Sequence, residues 1–290
     1  MINILSLFNG MNTGRQALEN IGKPVGVYYS SEIKPYAVNL TQYHFPDTIQ
    51  LGDITKWKEW DIDWGNINLI LSGSPCQDLS IAGERKGLQG EKSSLFWMFI
   101  DILNHIKSLN SDVLFLQENV GSAPTKEVGI MSRAMGVYPC RINSSLLTAQ
   151  MRDRYYWTNI LTKPDGFFGD IVSDIPQPKD RKIYFKDIIE SGIVSRRKAG
   201  ALLEGDYKQM VKDPIKEDIL IRKRIKKGKQ TPNLIQTDEG LLRTVSIVEM
   251  CRLQGFPDNY CYILSKSRSA SLLGDGWTLP IIEHILSFIP

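Results

Sequence analysis

The sequence predicts an α/β fold built on a mostly parallel sheet with helices on both faces. Three observations carry that expectation. Short, largely apolar runs at residues 2–8, 69–71 and 113–116 have the near-continuous hydrophobicity of strands buried on both faces. Between the last two, Leu95–Leu109 presents a wide apolar helical face. With 290 residues and 42% hydrophobic content, the chain can bury a large core and still carry a small second lobe.

The elements follow in order. The first run breaks at Asn9-Gly10 and a helix begins near Thr13, which aims a glycine turn and a helix N-terminus at a ligand. Gly10 and Gly14 do not have the G-x-G-x-x-G spacing of dinucleotide folds, and no hydride-transfer residues are identifiable, so an NAD-binding oxidoreductase is disfavoured. A second strand, 25–30, ends near Glu32, where a carboxylate can take the ribose hydroxyls of a nucleoside cofactor. The run 69–71 delivers Pro75-Cys76-Gln77. Residues 73–97 are rich in glycine, serine and charge and read as a lid beside Cys76. The strand at 113–116 then delivers Glu118-Asn119-Val120, and a late antiparallel strand near 154–159 follows Gln150-Met151-Arg152-Asp153-Arg154.

A thiol, a carboxylate and a guanidinium in this order suit one chemistry. Carbon-5 of cytosine is a poor nucleophile until the conjugation of the ring is broken. Addition of the Cys76 thiolate to carbon-6 breaks it and leaves an enamine whose carbon-5 accepts an activated methyl group. Glu118 can hydrogen-bond or protonate the ring-nitrogen edge, and Arg154 can hold the exocyclic oxygen. The base that afterwards removes the carbon-5 proton is not identifiable in the sequence. Taken singly, each of these residues more often has a structural role; their co-occurrence carries the reading.

The blocks Ser74-Pro75-Cys76-Gln77, Glu118-Asn119-Val120 and Gln150, Arg152, Arg154 together resemble the DNA (cytosine-5) methyltransferases, and the similarity runs almost end to end. Their wording is closest to the catalytic domains of the vertebrate de novo enzymes. The resemblance implies a Rossmann-like S-adenosylmethionine-dependent fold with a small inserted target-recognition lobe. It makes Phe8, Gly10, Thr13, Gly14, Glu32, Asp53, Ile54 and Pro75 the cofactor site, with Phe8 and Ile54 flanking the adenine. S-adenosylmethionine is then the methyl donor and S-adenosylhomocysteine the product. Cys76, Glu118, Arg152 and Arg154 become catalytic. The stretch 73–97 becomes the loop that closes over DNA and holds the target base out of the stack, with Gln77, Ser80 and Arg85 on DNA. Near the C-terminus, Arg252-Leu253-Gln254-Gly255-Phe256-Pro257 and Leu273-Gly274-Asp275-Gly276-Trp277 resemble two further family blocks, and Asp275 and Trp277 would line the methionine end of the pocket. Asn9, where many relatives have Asp or Ala, and Asp275, where many have Asn, depart from the pattern.

The expected organisation is a cofactor-binding and catalytic domain at 1–160, a target-recognition region at 161–240 and a returning segment at 241–290. The net charge is only +3, but Arg222, Lys223, Arg224, Lys226 and Lys227, like Arg196-Arg197-Lys198, concentrate positive charge in the middle region as phosphate contacts to duplex DNA would. The four cysteines show no C-x-x-C pairing and the three histidines are scattered, so no metal site is expected. No apolar stretch reaches 18 residues and no signal peptide opens the chain, so a soluble intracellular protein is expected, cytoplasmic if bacterial or phage and nuclear if eukaryotic. Two alternatives stay open: a tRNA-acting cytosine-5 methyltransferase of the same fold, and a catalytically silent DNA-binding homologue.

Overall fold

The computed structural model describes residues 1–75, 95–166, 169–202, 213–228 and 233–290. Two compact units form, one from residues 1–142, 153–177 and 281–290, the other from 143–152 and 178–280. This division runs across the expected boundaries at 160 and 240. Residues 161–177 stay with the first unit, and 241–280 belong to the second.

The first unit holds a sheet of β1 (Ile2–Leu7), β2 (Val25–Ser31), β3 (Ile49–Gln50), β4 (Leu69–Ser72), β5 (Leu114–Val120), β6 (Cys140–Asn143) and β7 (Asp153–Thr158), in the order β3-β2-β1-β4-β5-β7-β6. Parallel pairing runs from β3 through β5, and β7 lies antiparallel to β5. A separate hairpin, β8 (Thr162–Asp165) with β9 (Asp170–Ser173), follows. The helices are α1 (Thr13–Asn20), α2 (Pro35–His44), α3 (Leu95–Leu109) and α4 (Thr125–Met135). Strand order reverses between β1 and β4, so the crevice for a ligand opens at their C-terminal ends, where residues 8–12 and 73–75 emerge.

Alternation along the strands covers both faces. Leu5, Leu7, Ile70 and Phe115 form one core with Phe96, Phe99, Leu103 and Ile106 of α3. On the other face α1 approaches β4 so closely that a Cβ at Gly14 would fall well inside van der Waals contact of Leu71 Cδ1 and 3.1 Å from the Tyr28 hydroxyl. Gly14→Ala is therefore expected to cost about 1–3 kcal/mol by overpacking and to lower the melting temperature by several degrees. A thermal melt at the parent value would show that α1 can slide to admit the methyl group.

The second unit contains α5 (Pro214–Lys226), β10 (Leu234–Gln236), β11 (Leu242–Thr244), α6 (Ile247–Gln254), α7 (Lys266–Asp275) and the first residues of α8 (Leu279–Leu286). Acidic side chains organise it. Glu217 accepts from the Thr244 N–H and hydroxyl at 3.2 and 2.7 Å, and Asp218 from the Leu242 N–H at 2.8 Å, which ties α5 to β11. The fully buried Glu249 closes a capping box with Ser246 and accepts both arms of Arg243 at 2.8 Å and the Glu190 N–H at 2.9 Å. Burial pushes the Glu249 carboxyl up, but the hydrogen bonds from Arg243 and from the Glu190 and Ser246 N–H groups outweigh it and hold the group below the usual carboxylate range. Among the described residues no helix is long and apolar enough to cross a membrane, and no cluster of His, Cys, Asp and Glu could hold a metal ion.

Candidate active site

The turn after β1 is built from left-handed residues at alternate positions: Phe8 (φ 55°), Gly10 (φ 59°) and Asn12 (φ 63°). Glycine adopts this region freely, whereas an aromatic residue there is strained by about 1–3 kcal/mol, a strain found where a ligand loop is held in shape by its surroundings. Here the hold is visible. The Asn9 N–H donates to Ser31 O at 3.1 Å, and the Asn9 carboxamide is engaged by the hydroxyls of Ser6 at 2.7 Å and Tyr28 at 3.4 Å. Asn9 is thus a brace for the turn.

Glu32, just past β2, reaches across to this turn. Its carboxylate accepts the Gly10 N–H at 2.8 Å and the Ile33 and Lys34 N–H groups at 2.8 and 2.9 Å, which fixes its orientation beside the crevice while leaving lone pairs for further donors. Asp53 caps the short turn that follows β3 by accepting the Thr55 N–H at 2.9 Å, and Ile54 beside it is buried. Thr13 and Gly14 open α1 and are buried. These residues, with Pro75 beyond β4, all lie in the first unit.

Cys76, Gln77, Ser80 and Arg85 lie outside the described residues. At the end of β4 the Ser74 hydroxyl accepts from Gln117 Nε2 at 2.9 Å, and the same amide donates to the Glu118 carbonyl at 2.8 Å. Next to Gln117 on β5, the Glu118 carboxylate receives Arg154 Nε at 2.7 Å, with both side chains largely buried. The antiparallel register places Val120 opposite Arg154 and Glu118 opposite Tyr156, so the pair closes diagonally across the two strands. Arg154 Nη1 donates to Asp153 O at 2.8 Å. Of the guanidinium donors, the Nη2 pair makes no hydrogen bond among the described residues.

The remaining sequence-predicted residues lie in the second unit. Buried Arg152 donates from Nη1 to Gly274 O at 2.9 Å and from Nη2 to Gly276 O at 2.8 Å, bracing the segment that carries Asp275 and Trp277. Arg222 gives its Nε to Asp218 at 2.8 Å and its Nη2 to Gly240 O at 3.2 Å, with its side chain half exposed. Lys223, Lys226 and Lys227 are exposed along α5 and just beyond it. Arg224 is less exposed than these. Lys198, part of the second basic run, donates its ammonium to the carbonyls of Ser145, Thr148 and Ile183 at 2.6, 2.9 and 2.6 Å.

Sequence reasoning missed Gln117, the link between Glu118 and Ser74. Its signal was available: three consecutive polar residues, Gln117, Glu118 and Asn119, continuing an apolar run and all buried.

Residues 2–133 match the family model of the C-5 cytosine-specific DNA methylase. The type II methyltransferase M.NlaIV of Neisseria lactamica is 32% identical over 66% of this chain and 47% of its own length, so the chain spans about half the length of that relative. M.NlaX of the same organism is 26% identical over 98% of this chain and 95% of its own length. Among solved structures, the Entamoeba histolytica methyltransferase EhMeth superposes over 100% of this chain and 98% of its own at a TM-score of 0.68 with 15% identity, a likeness of fold. The chain thus matches the C-5 cytosine-specific DNA methylase family over residues 2–133, a stretch that includes Glu118-Asn119-Val120, whose Glu118 pairs with Arg154 on the adjoining strand β7.

Proposed function

We propose that the chain transfers a methyl group from S-adenosylmethionine to carbon-5 of a cytosine in double-stranded DNA, through a transient bond from Cys76 to a flipped-out base. The observation that carries this reading is the buried Glu118–Arg154 pair, linked through Gln117 to the Ser74-Pro75 turn.

The cofactor's chemistry is an electrophilic methyl group on a sulfonium. The turn after β1 suits it: left-handed Gly10 keeps the backbone open, Gly14 lets α1 seat against Leu71, and the fixed Glu32 carboxylate can accept from ribose hydroxyls. Phe8 and Ile54 are then the adenine neighbours.

On the substrate side, Glu118 faces the ring-nitrogen edge and passes on a proton taken up from solvent as the Cys76 sulfur bonds to carbon-6, so the electron pair displaced into the ring is neutralised. Arg154 does two things. Its Nε fixes the Glu118 carboxyl, and its Nη2 is free to donate to the exocyclic oxygen. Carbon-5 then takes the methyl group, a base removes the carbon-5 proton, and the returning electron pair breaks the sulfur–carbon bond. Arg152 acts at one remove, as the brace of residues 274–276.

Sequencing cytosine modification in plasmid DNA from a methylation-free host expressing the chain tests the reading. Modified cytosines in a repeated sequence context are expected. Unmodified DNA together with methyl incorporation into tRNA would transfer the assignment to RNA.

On the exposed basic run, Lys226→Ala with Lys227→Ala is expected to weaken binding to all duplexes about equally and to flatten the slope of log affinity against log salt by about two, without changing which cytosines are modified. An unchanged slope would make the run a solvated face, and a changed modification pattern would make these residues readers of bases.

A further inference from the structure

The second unit holds a cationic groove whose charges the fold does not use. It has a volume of about 480 Å³ and is lined by Tyr184, Lys186, Val194, Ser195, Arg196 and Arg197. Its walls are fixed. The Phe185 N–H donates to Arg197 O at 2.9 Å, the Phe185 ring is buried, and Asp187 caps Tyr184 by accepting its N–H at 2.7 Å. The Arg197 guanidinium lies 4.6 Å from the centre of the Tyr184 ring and donates to the Tyr184 hydroxyl at 2.8 Å, which holds one charge at the groove while leaving it exposed.

Four neighbouring or buried cations of this unit are accounted for internally: Lys198 by three carbonyls, Arg222 by Asp218, Arg243 by Glu249 and Arg252 by Asp258. Lys186, Arg196 and Arg197 make no ion pair among the described residues. The acids in the same stretch, Asp180 and Asp187, accept the Lys182 and Tyr184 N–H groups. Three exposed cations around one groove repel one another, a cost that an anionic partner removes. We propose that this groove contacts the sugar–phosphate backbone of the substrate duplex, with Arg196, Arg197 and Lys186 on phosphates and Lys198 excluded from that role. The proposal rests on DNA being the substrate. A backbone fits better than a base, because Arg197 and Lys198 already stand over the Tyr184 ring at 4.6 and 5.5 Å and the apolar lining is otherwise Val194. Contacts of this kind set affinity and register but carry no sequence information.

The test is a salt series of anisotropy titrations on a labelled duplex with the parent chain, Arg196→Ala/Arg197→Ala and Arg196→Lys/Arg197→Lys, with melting curves to check folding. The alanine pair is expected to flatten the slope of log affinity against log salt by about two. The lysine pair keeps that slope, and the modified cytosines stay the same in both. Should the alanine pair unfold, Lys186→Ala serves in its place, with a flattening of about one. A parent that binds and methylates duplex DNA, beside an alanine pair with unchanged slope, overturns the groove and leaves the activity standing. Equal losses in the alanine and lysine pairs also overturn it, because charge is then not what acts. A parent that does not bind DNA removes both readings together.

Discussion

DNA carrying 5-fluorocytosine at the target position is expected to capture the chain as a denaturation-resistant adduct, and Cys76→Ala to abolish that capture along with all measurable turnover. Once sulfur has bonded to carbon-6 and carbon-5 has been methylated, release requires loss of the carbon-5 proton, and fluorine cannot leave in that way. The complex stays covalent. Only a thiolate adds readily enough near neutral pH to begin the sequence. Gel analysis after denaturation, with and without S-adenosylmethionine, reads the result directly. An adduct surviving in Cys76→Ala would place the nucleophile elsewhere.

The second large effect is expected at Glu118. Glu118→Gln removes a proton donor and should lower turnover by about 10²-fold or more, with little change in cofactor affinity. It also strands Arg154, and because the pair is largely buried, losing one partner is expected to destabilise the fold by about 3 kcal/mol. Chemistry and stability can be separated. Glu118→Gln combined with Arg154→Met removes both charges, so it should recover much of the melting temperature and none of the turnover. Recovery of turnover in the double variant would make the pair a structural element, and a matching loss of S-adenosylmethionine affinity in Glu118→Gln would move Glu118 into the cofactor site.

How far the fold is legible in the sequence depends on what each residue is satisfied by. Buried parallel strands and the long α3 helix advertise themselves through hydrophobicity, and α3 spans Leu95–Leu109 as expected. The strand expected at 113–116 instead runs Leu114–Val120, because its polar second half is buried against Arg154 and Ser74, partners remote in the chain, and against its own backbone. Helix α5 escaped the reading because little of it faces inward: Asp218 and Ile221 are its buried residues, while Ile215 and Ile219 are 61% and 60% exposed. At the site, residue types and order pointed to a chemistry, but the jobs of individual cations were not readable. Arg152 and Lys198 look in the sequence like the cations around them, and only tertiary partners show that their charges serve the fold.

The excursion of residues 143–152 into the second unit bears on how this protein can be taken apart or recombined. The chain passes between the units at 142/143, 152/153, 177/178 and 280/281, so no single cut yields either unit whole. A fragment spanning 178–280 lacks Arg152, whose guanidinium spans the carbonyls of Gly274 and Gly276, and Ser144, whose hydroxyl donates to Thr278 at 2.8 Å. It also lacks the Ala149 and Met151 backbone that pairs with Ala199. Exchanging specificity between relatives by grafting the contiguous stretch alone would leave that scaffold mismatched at its seams. A working chimaera has to transplant the ten-residue excursion from the same parent.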